Sequence, residues 1–135
     1  MAHHLENQLM EWIHDEICSD NVAQQCLTRV KEGKLTRDEN PTSHFNVFFA
    51  AYDPGMKQIF IGHHKKAELW LFNGGHIDKG ESPEQALERE IGEECGLQMS
   101  SETIGKPLLL TICNIRESVR HRCRTHYDIW YFVKL

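Results

Sequence analysis

The stretch from Gly74 to Leu97, GGHIDKGESPEQALEREIGEECGL, restricts the fold more than any other part of the chain. It contains a helix whose two ends are both marked. Ser82 suits the N-cap, Pro83 the first helical position, and Gln85 completes a capping box. Gly96 has no Cβ and can take the left-handed conformation that ends such helices. Between these marks Leu87 and Ile91 stand four residues apart and Cys95 continues their stripe, so that side must rest on a sheet. Gly74 and Gly75 end a strand-like run where the backbone must approach something closely.

Glu90, Glu93 and Glu94 lie within an arc of roughly 100° on a different side of that helix. Like charges at this spacing repel, at about 0.2–0.5 kcal/mol per pair. A solvated face would tolerate the cost, and a bound cation would reverse it. Three hard oxygen ligands suit Mg²⁺, with Mn²⁺ as the alternative, and leave positions for water and phosphate oxygens. Arg89 follows Glu81 by eight residues, so the two can pair across the helix start and set the angle of the loop. As a plain surface ion pair they would contribute little.

The remainder divides into a helical beginning and a β-rich body. Residues 5–17 carry Leu5, Leu9, Trp12, Ile13 and Ile17 at helical spacing. A second helix is expected from Asp20 as N-cap to Gly33, with Val22, Cys26, Leu27 and Val30 on its apolar side. KLTRDENPTS is polar and holds a proline, so it reads as a connector between a helical segment, residues 1–44, and a main domain, residues 45–135. In that domain FNVFFAAY and KQIFIGHH flank the turn DPGM, and ELWLF, PLLLTICNI and THYDIWYFVKL read as further strands. The fold class expected is α+β, a mixed sheet with one central helix and helices at the N-terminal end.

Bulk properties exclude several classes. The formal charge of −5 argues against general nucleic-acid binding. No apolar run approaches the roughly 18–20 residues that a membrane span needs, and the N-terminus does not resemble a secretory signal. Five cysteines, an odd number without any CxxC pair, read as reduced thiols of a cytoplasmic protein. His121, Cys123 and His126 lie close in sequence, but a tetrahedral zinc site takes four ligands and the sequence offers no evident fourth. RESVRHRCRTH places Arg116, Arg120, Arg122 and Arg124 in one segment, either a solvated loop or a phosphate-binding one. Trp70 and Phe72 are read as core residues or as platforms for a base.

From Gly75, five residues lead to Glu81 and seven more to Arg89-Glu90-Ile91-Gly92-Glu93-Glu94-Cys95-Gly96-Leu97. This run resembles a complete Nudix box, and the flanking strands from about residue 45 resemble the Nudix fold. HHKKAELW, GGH and THYD further resemble a bacterial subgroup of that superfamily. The resemblance implies an α/β/α sandwich preceded here by the N-terminal helices. The helix that usually follows the last strand is not found before Leu135, so the expectation is that the N-terminal helices take its place, that a homodimer partner covers the apolar sheet face, or that the sequence is truncated.

The activity implied is Mg²⁺-dependent hydrolysis of a pyrophosphate bond in a nucleoside diphosphate linked to another moiety, with water attacking phosphorus. Carried over by position, Glu90 and Glu94 are the main metal ligands. Glu93 is an additional ligand or the base, and the Gly74 carbonyl is a backbone ligand. Arg89 and Glu81 orient the helix. Glu117 and Asp128 are alternative bases, and His76, Arg120, Arg122, Arg124 and Asp128 are the expected substrate contacts. The competing reading is a non-catalytic Nudix-fold module that binds a nucleotide or RNA.

Overall fold

Strand β1 (Ser43–Asp53) organises the sheet, because every neighbour is placed by which part of it they pair with. The computed structural model describes residues 2–64, 68–116 and 122–135. β7 (Thr125–Lys134) runs parallel to β1 from Ser43↔Thr125 to Tyr52↔Lys134, and β6 (Leu109–Asn114) pairs antiparallel with β7. The other edge of β1 is shared. β2 (Gln58–Phe60) takes Ala51 to Asp53, and β5 (Asn73–His76) takes Asn46 to Phe49. The turn into β2 is closed by the Asp53 carboxylate, which accepts from the Gly55 and Met56 amides at 2.9 and 3.2 Å.

KQIFIGHH, read from sequence as one strand, is two. The edge beyond Ala51 belongs to β5, so the chain leaves β1 after Phe60. It forms β3 (Gly62–His64), which pairs with β4 (Leu69–Leu71) in a separate two-stranded sheet.

Among the described residues four helices accompany the sheet: α1 (Ala2–His14), α2 (Asp20–Glu32), α3 (Pro83–Cys95) and the single turn α4 (Ser101–Ile104), which the sequence reading did not foresee. α1 ends three residues before the expected Ile17, with Glu16 in left-handed backbone at φ 57°. The N-cap of α2 is Ser19 rather than Asp20. The Ser19 hydroxyl accepts from the Val22 amide at 3.3 Å, a reach that Asp20, already helical, does not have. Arg29 ties α2 to β1. It is buried and donates to the Ser43 hydroxyl, the Ser43 carbonyl and the carbonyls of Gly33 and Lys34.

The period of two along the strands sorts side chains onto two faces. On one, Phe45, Val47 and Phe49 of β1, Ile129 and Tyr131 of β7, and Leu110 of β6 are buried. They form one core with Leu9 and Trp12 of α1, Cys26 and Val30 of α2, and Leu87 and Ile91 of α3. The helices of residues 1–44 therefore share their core with the main domain. Each such aliphatic or aromatic side chain contributes about 1.5–3 kcal/mol by leaving water.

The other face starts polar, with His44 and Asn46 of β1 beside His126 and Asp128 of β7. It continues aromatic, with Phe48 stacked on Trp130 at 5.0 Å and Phe132 half exposed. No described helix is long and apolar enough to cross a membrane.

Candidate active site

α3 forms where its end signals place it. The Ser82 hydroxyl accepts from the Gln85 amide at 3.1 Å, and the Gln85 side chain accepts from the Ser82 amide at 2.9 Å. Gly96, at φ 68°, closes the other end by donating its amide to the Gly92 carbonyl at 3.0 Å. Leu87 and Ile91 are fully buried against the sheet, and Gln8 of α1 holds Glu84 at 2.6 Å. With that face fixed, the helical period turns Glu93 and Glu94 outward and leaves Glu90 at the boundary, only 7% exposed.

Arg89 is the hub of the site. Its Nε and Nη2 donate in a fork to the two oxygens of Glu81, both at 2.9 Å. Nη1 donates to Glu90 Oε1 at 2.7 Å, and Nη2 also reaches the His76 carbonyl at 2.9 Å. Glu93 and Asp78 stand farther off, each with a carboxylate oxygen 3.7 Å away. Glu81 in turn accepts from the Asp78 amide at 3.0 Å, so it joins the loop before the helix to the helix itself.

Burial is the largest single influence on Glu81 and raises its pKa. The hydrogen bonds from Arg89 and Asp78, with the charge of Arg89, outweigh it and leave the carboxyl below its ordinary value. The same contacts raise Arg89, those from Glu81 most. A fork-to-carboxylate pair of this kind fixes orientation as well as charge.

Glu90 lies in a cradle that only glycine leaves open: a Cβ at Gly75 would overlap its carboxylate. Burial, first, and the charges of Glu93 and Glu81 raise its pKa, while Arg89 opposes them. Glu94 is pushed up to about 6, first by partial desolvation of its carboxyl and then by Glu90. A backbone hydrogen bond from Gly74 works the other way. Gly74, expected to offer its carbonyl, is thus beside the Glu94 carboxyl, and its own Cβ position is filled by Val47 and Phe48. The carboxylates of Glu90, Glu93 and Glu94 share one side of α3, but among the described residues they are not drawn together into a metal-ligand group. Arg89 reaches Glu81 and Glu90 closely and Glu93 at 3.7 Å, so one guanidinium faces several carboxylates and the site carries an excess of negative charge on hard oxygen donors. That donor set fits a divalent cation such as Mg²⁺ or Mn²⁺.

The other expected contacts are distributed differently. Asp128 pairs in register with Asn46, and Gly75 with Val47, so Asp128 and Glu90 lie on opposite faces of the sheet. Asp128 is buried, accepts from Asn46 Nδ2 at 3.3 Å, and is pushed up to about 7 by burial, with that bond opposing. His76 shows its carbonyl to Arg89 and its ring to the far face. There it packs edge-on to His44 at 4.8 Å and approaches Cys123. Its pKa is lowered to about 3, chiefly by burial and then by Arg37.

Arg122 and Arg124 are exposed, and Arg124 donates to the Cys123 carbonyl at 3.1 Å. Arg120, Glu117 and His121 lie outside the described residues. Trp70 is exposed in the small sheet against His63, and Phe72 meets Trp130 edge-on at 5.6 Å. Sequence reasoning missed His44. Its only trace was a histidine at the start of one strand matching His126 at the start of another.

Solved structures of similar shape exist. One, the E. coli dihydroneopterin triphosphate pyrophosphohydrolase, is 19% identical, with a TM-score of 0.59 and 67% of each chain covered. A NUDIX-family hydrolase from Clostridium perfringens is 26% identical, with a TM-score of 0.52 and again 67% of each chain covered. The NUDIX domain profile matches residues 42–134, the whole sheet and the helix that carries the carboxylates. By that match the chain belongs to the Nudix family.

Proposed function

We propose that the chain is a divalent-metal-dependent pyrophosphohydrolase that opens the P–O–P bridge of a nucleoside diphosphate linked to another moiety. The observation that carries this reading is the Glu81–Arg89–Glu90 array. It locks α3 to the loop after β5 and fixes Glu90 at the edge of the helix, beside the outward-facing Glu93 and Glu94. Family membership and the pyrophosphohydrolase among its structural relatives support the reaction class.

Glu90 and Glu94 would hold Mg²⁺ or Mn²⁺, with Glu93 at the rim and the Gly74 carbonyl as the backbone ligand. The bound ion would screen the phosphate charge and lower the pKa of a coordinated water. Arg89 spends its donors on Glu81, Glu90 and the His76 carbonyl, so its part is to position Glu90 rather than to bind phosphate. Of the carboxylates considered as base, Asp128 is across the sheet, whereas Glu93 is exposed on the helix that carries Glu90 and Glu94. In this reading Glu93 would take the proton of the attacking water. Arg122 and Arg124 belong to the phosphate side of this reading.

The test is turnover of a panel of nucleotide sugars, dinucleoside polyphosphates, ADP-ribose and nucleoside triphosphates with Mg²⁺. At least one should be cleaved to a nucleoside monophosphate or another phosphorylated product. Glu94→Gln should lose about a hundredfold or more, equivalent to ~2.7 kcal/mol of barrier. Tight binding that ignores Mg²⁺ and yields no product would instead establish a binding module.

A further inference from the structure

We propose that His44, His76, Cys123 and His126 form a second metal centre, a closed tetrahedral zinc site on the sheet face opposite the carboxylates. Four residues from four places in the chain meet there: the start of β1, the end of β5, the segment before β7, and β7 itself. One ligand-type atom from each lies within 4.8 Å of the other three, the only such group of three or more among the described residues. Cys123 Sγ is 3.7 Å from His44 Nε2 and 3.8 Å from His76 Nε2. Zinc–sulfur and zinc–nitrogen bonds of about 2.3 and 2.0–2.1 Å at tetrahedral angles separate sulfur from nitrogen by about 3.6 Å. Those two distances are within a tenth or two of an ångström of that value, and the set as a whole, within 4.8 Å, needs to contract by no more than about an ångström to close on the ion.

The donor set selects the metal class. Three imidazoles and a thiolate are borderline-soft ligands, mismatched to Mg²⁺ and suited to Zn²⁺. Two outer contacts bear on tautomers. His44 Nδ1 donates to the Asn40 carbonyl at 2.9 Å, which puts its proton on Nδ1 and turns the Nε2 lone pair toward Cys123. Nδ1 of His76 accepts from Arg37 Nη1 at 3.0 Å, so in the metal-free form its proton is on Nε2. Ligation through Nε2 moves that proton to Nδ1 and releases Arg37, whose exposed side chain is free to swing away. The Cys123 thiol gives its proton to solvent, so one proton leaves per ion bound.

With four protein ligands there is no open position for substrate, so the centre is structural. It joins β1, β5 and β7 at one end of the sheet. Because the His76 carbonyl accepts from Arg89, it also steadies one anchor of the carboxylate site. This inference does not depend on the proposed hydrolase activity.

Cobalt reports the site directly. Titrating the metal-stripped chain with Co²⁺ should give one equivalent with the intense visible bands of tetrahedral coordination and a near-ultraviolet thiolate charge-transfer band, both abolished by Zn²⁺. Cys123→Ser should lose the charge-transfer band and weaken zinc by about tenfold or more. Cys113→Ser, an exposed thiol, and Glu94→Gln should keep both the band and the stoichiometry. Added zinc should raise the melting temperature of the wild-type chain.

Weak octahedral bands without charge transfer in the wild-type chain would overturn the assignment, whatever the fate of the variants. So would a charge-transfer band that survives Cys123→Ser, or zinc lost with Glu94→Gln. His3 and His4 cannot imitate the result, since neither supplies a thiolate.

Discussion

Two groups of ligand-type side chains sit back to back across one sheet, and they differ in almost every physical respect. The carboxylate group is carried by a single helix, partly exposed and short of positive charge. The histidine–cysteine group is assembled from distant segments, buried or half-buried, and drawn together tightly. A looser arrangement suits the first, because bare carboxylates repel and close only around a cation. Close approach suits the second, because neutral imidazoles and a thiol can touch without a metal. Residues 75 and 76 belong one to each, since successive residues of a strand face opposite ways.

The sharpest way to separate the two is at that junction. Gly75→Ala puts a methyl group into the Glu90 carboxylate, so turnover should fall about a hundredfold while the cobalt spectrum is unchanged. Steady-state kinetics beside the cobalt titration reads both, and loss of the spectrum would mean that the two sites are not independent.

Arg89→Lys keeps the charge but removes the fork to Glu81 and the planar set of donors that also reaches Glu90 and the His76 carbonyl. Turnover should drop about tenfold or more and stability by ~1–3 kcal/mol in urea unfolding, since charge-assisted bonds of this type contribute that much. An unchanged denaturation midpoint would reduce the array to an ordinary surface pair.

Asp128 tests the far face by pH. Its folded pKa of about 7 is above its unfolded value, so between about pH 4 and 7 the folded state holds the extra proton. Stability contributed by this group therefore falls as pH rises through that window, and the deficit is complete above about 7. Asp128→Asn should flatten the urea-midpoint profile from pH 5 to 8 and be the more stable form at pH 8. A profile that keeps the wild-type slope would place the ionisation elsewhere.

The smallest effect is kinetic. Burial, then Cys18, pushes the Cys26 thiol up to about 12, whereas Cys113 is exposed. A disulfide reagent at pH 8 should modify Cys113 promptly and Cys26 only after unfolding. Equal rates would show that α2 opens readily.

How much of this could be read beforehand follows from distance along the chain. The ends of α3, its buried stripe and its carboxylate arc are set by neighbours three and four residues apart, and all were legible. The Glu81–Arg89 pair, eight residues apart across the helix start, was legible as a spacing, and only the folded loop makes it a forked contact. The N-cap of α2 was misread by one residue because Ser19 and Asp20 are both good caps. The split of KQIFIGHH was hidden because competition between β2 and β5 for one edge of β1 is not a local property.

By itself the sequence determined a capped, amphipathic helix with hard oxygen donors on its open side, since helical periodicity and capping act within a few residues. Only the tertiary structure decided which residues far apart in the chain would share a face. The parallel register of β1 and β7 sets His44 beside His126, and the pairing of β5 with β1 brings His76 to them. Of the three residues grouped from sequence, Cys123 and His126 take part in the proposed zinc centre, and strand pairing supplies His44 and His76 as the other two ligands, because strand register is chosen by long-range packing and hydrogen bonding.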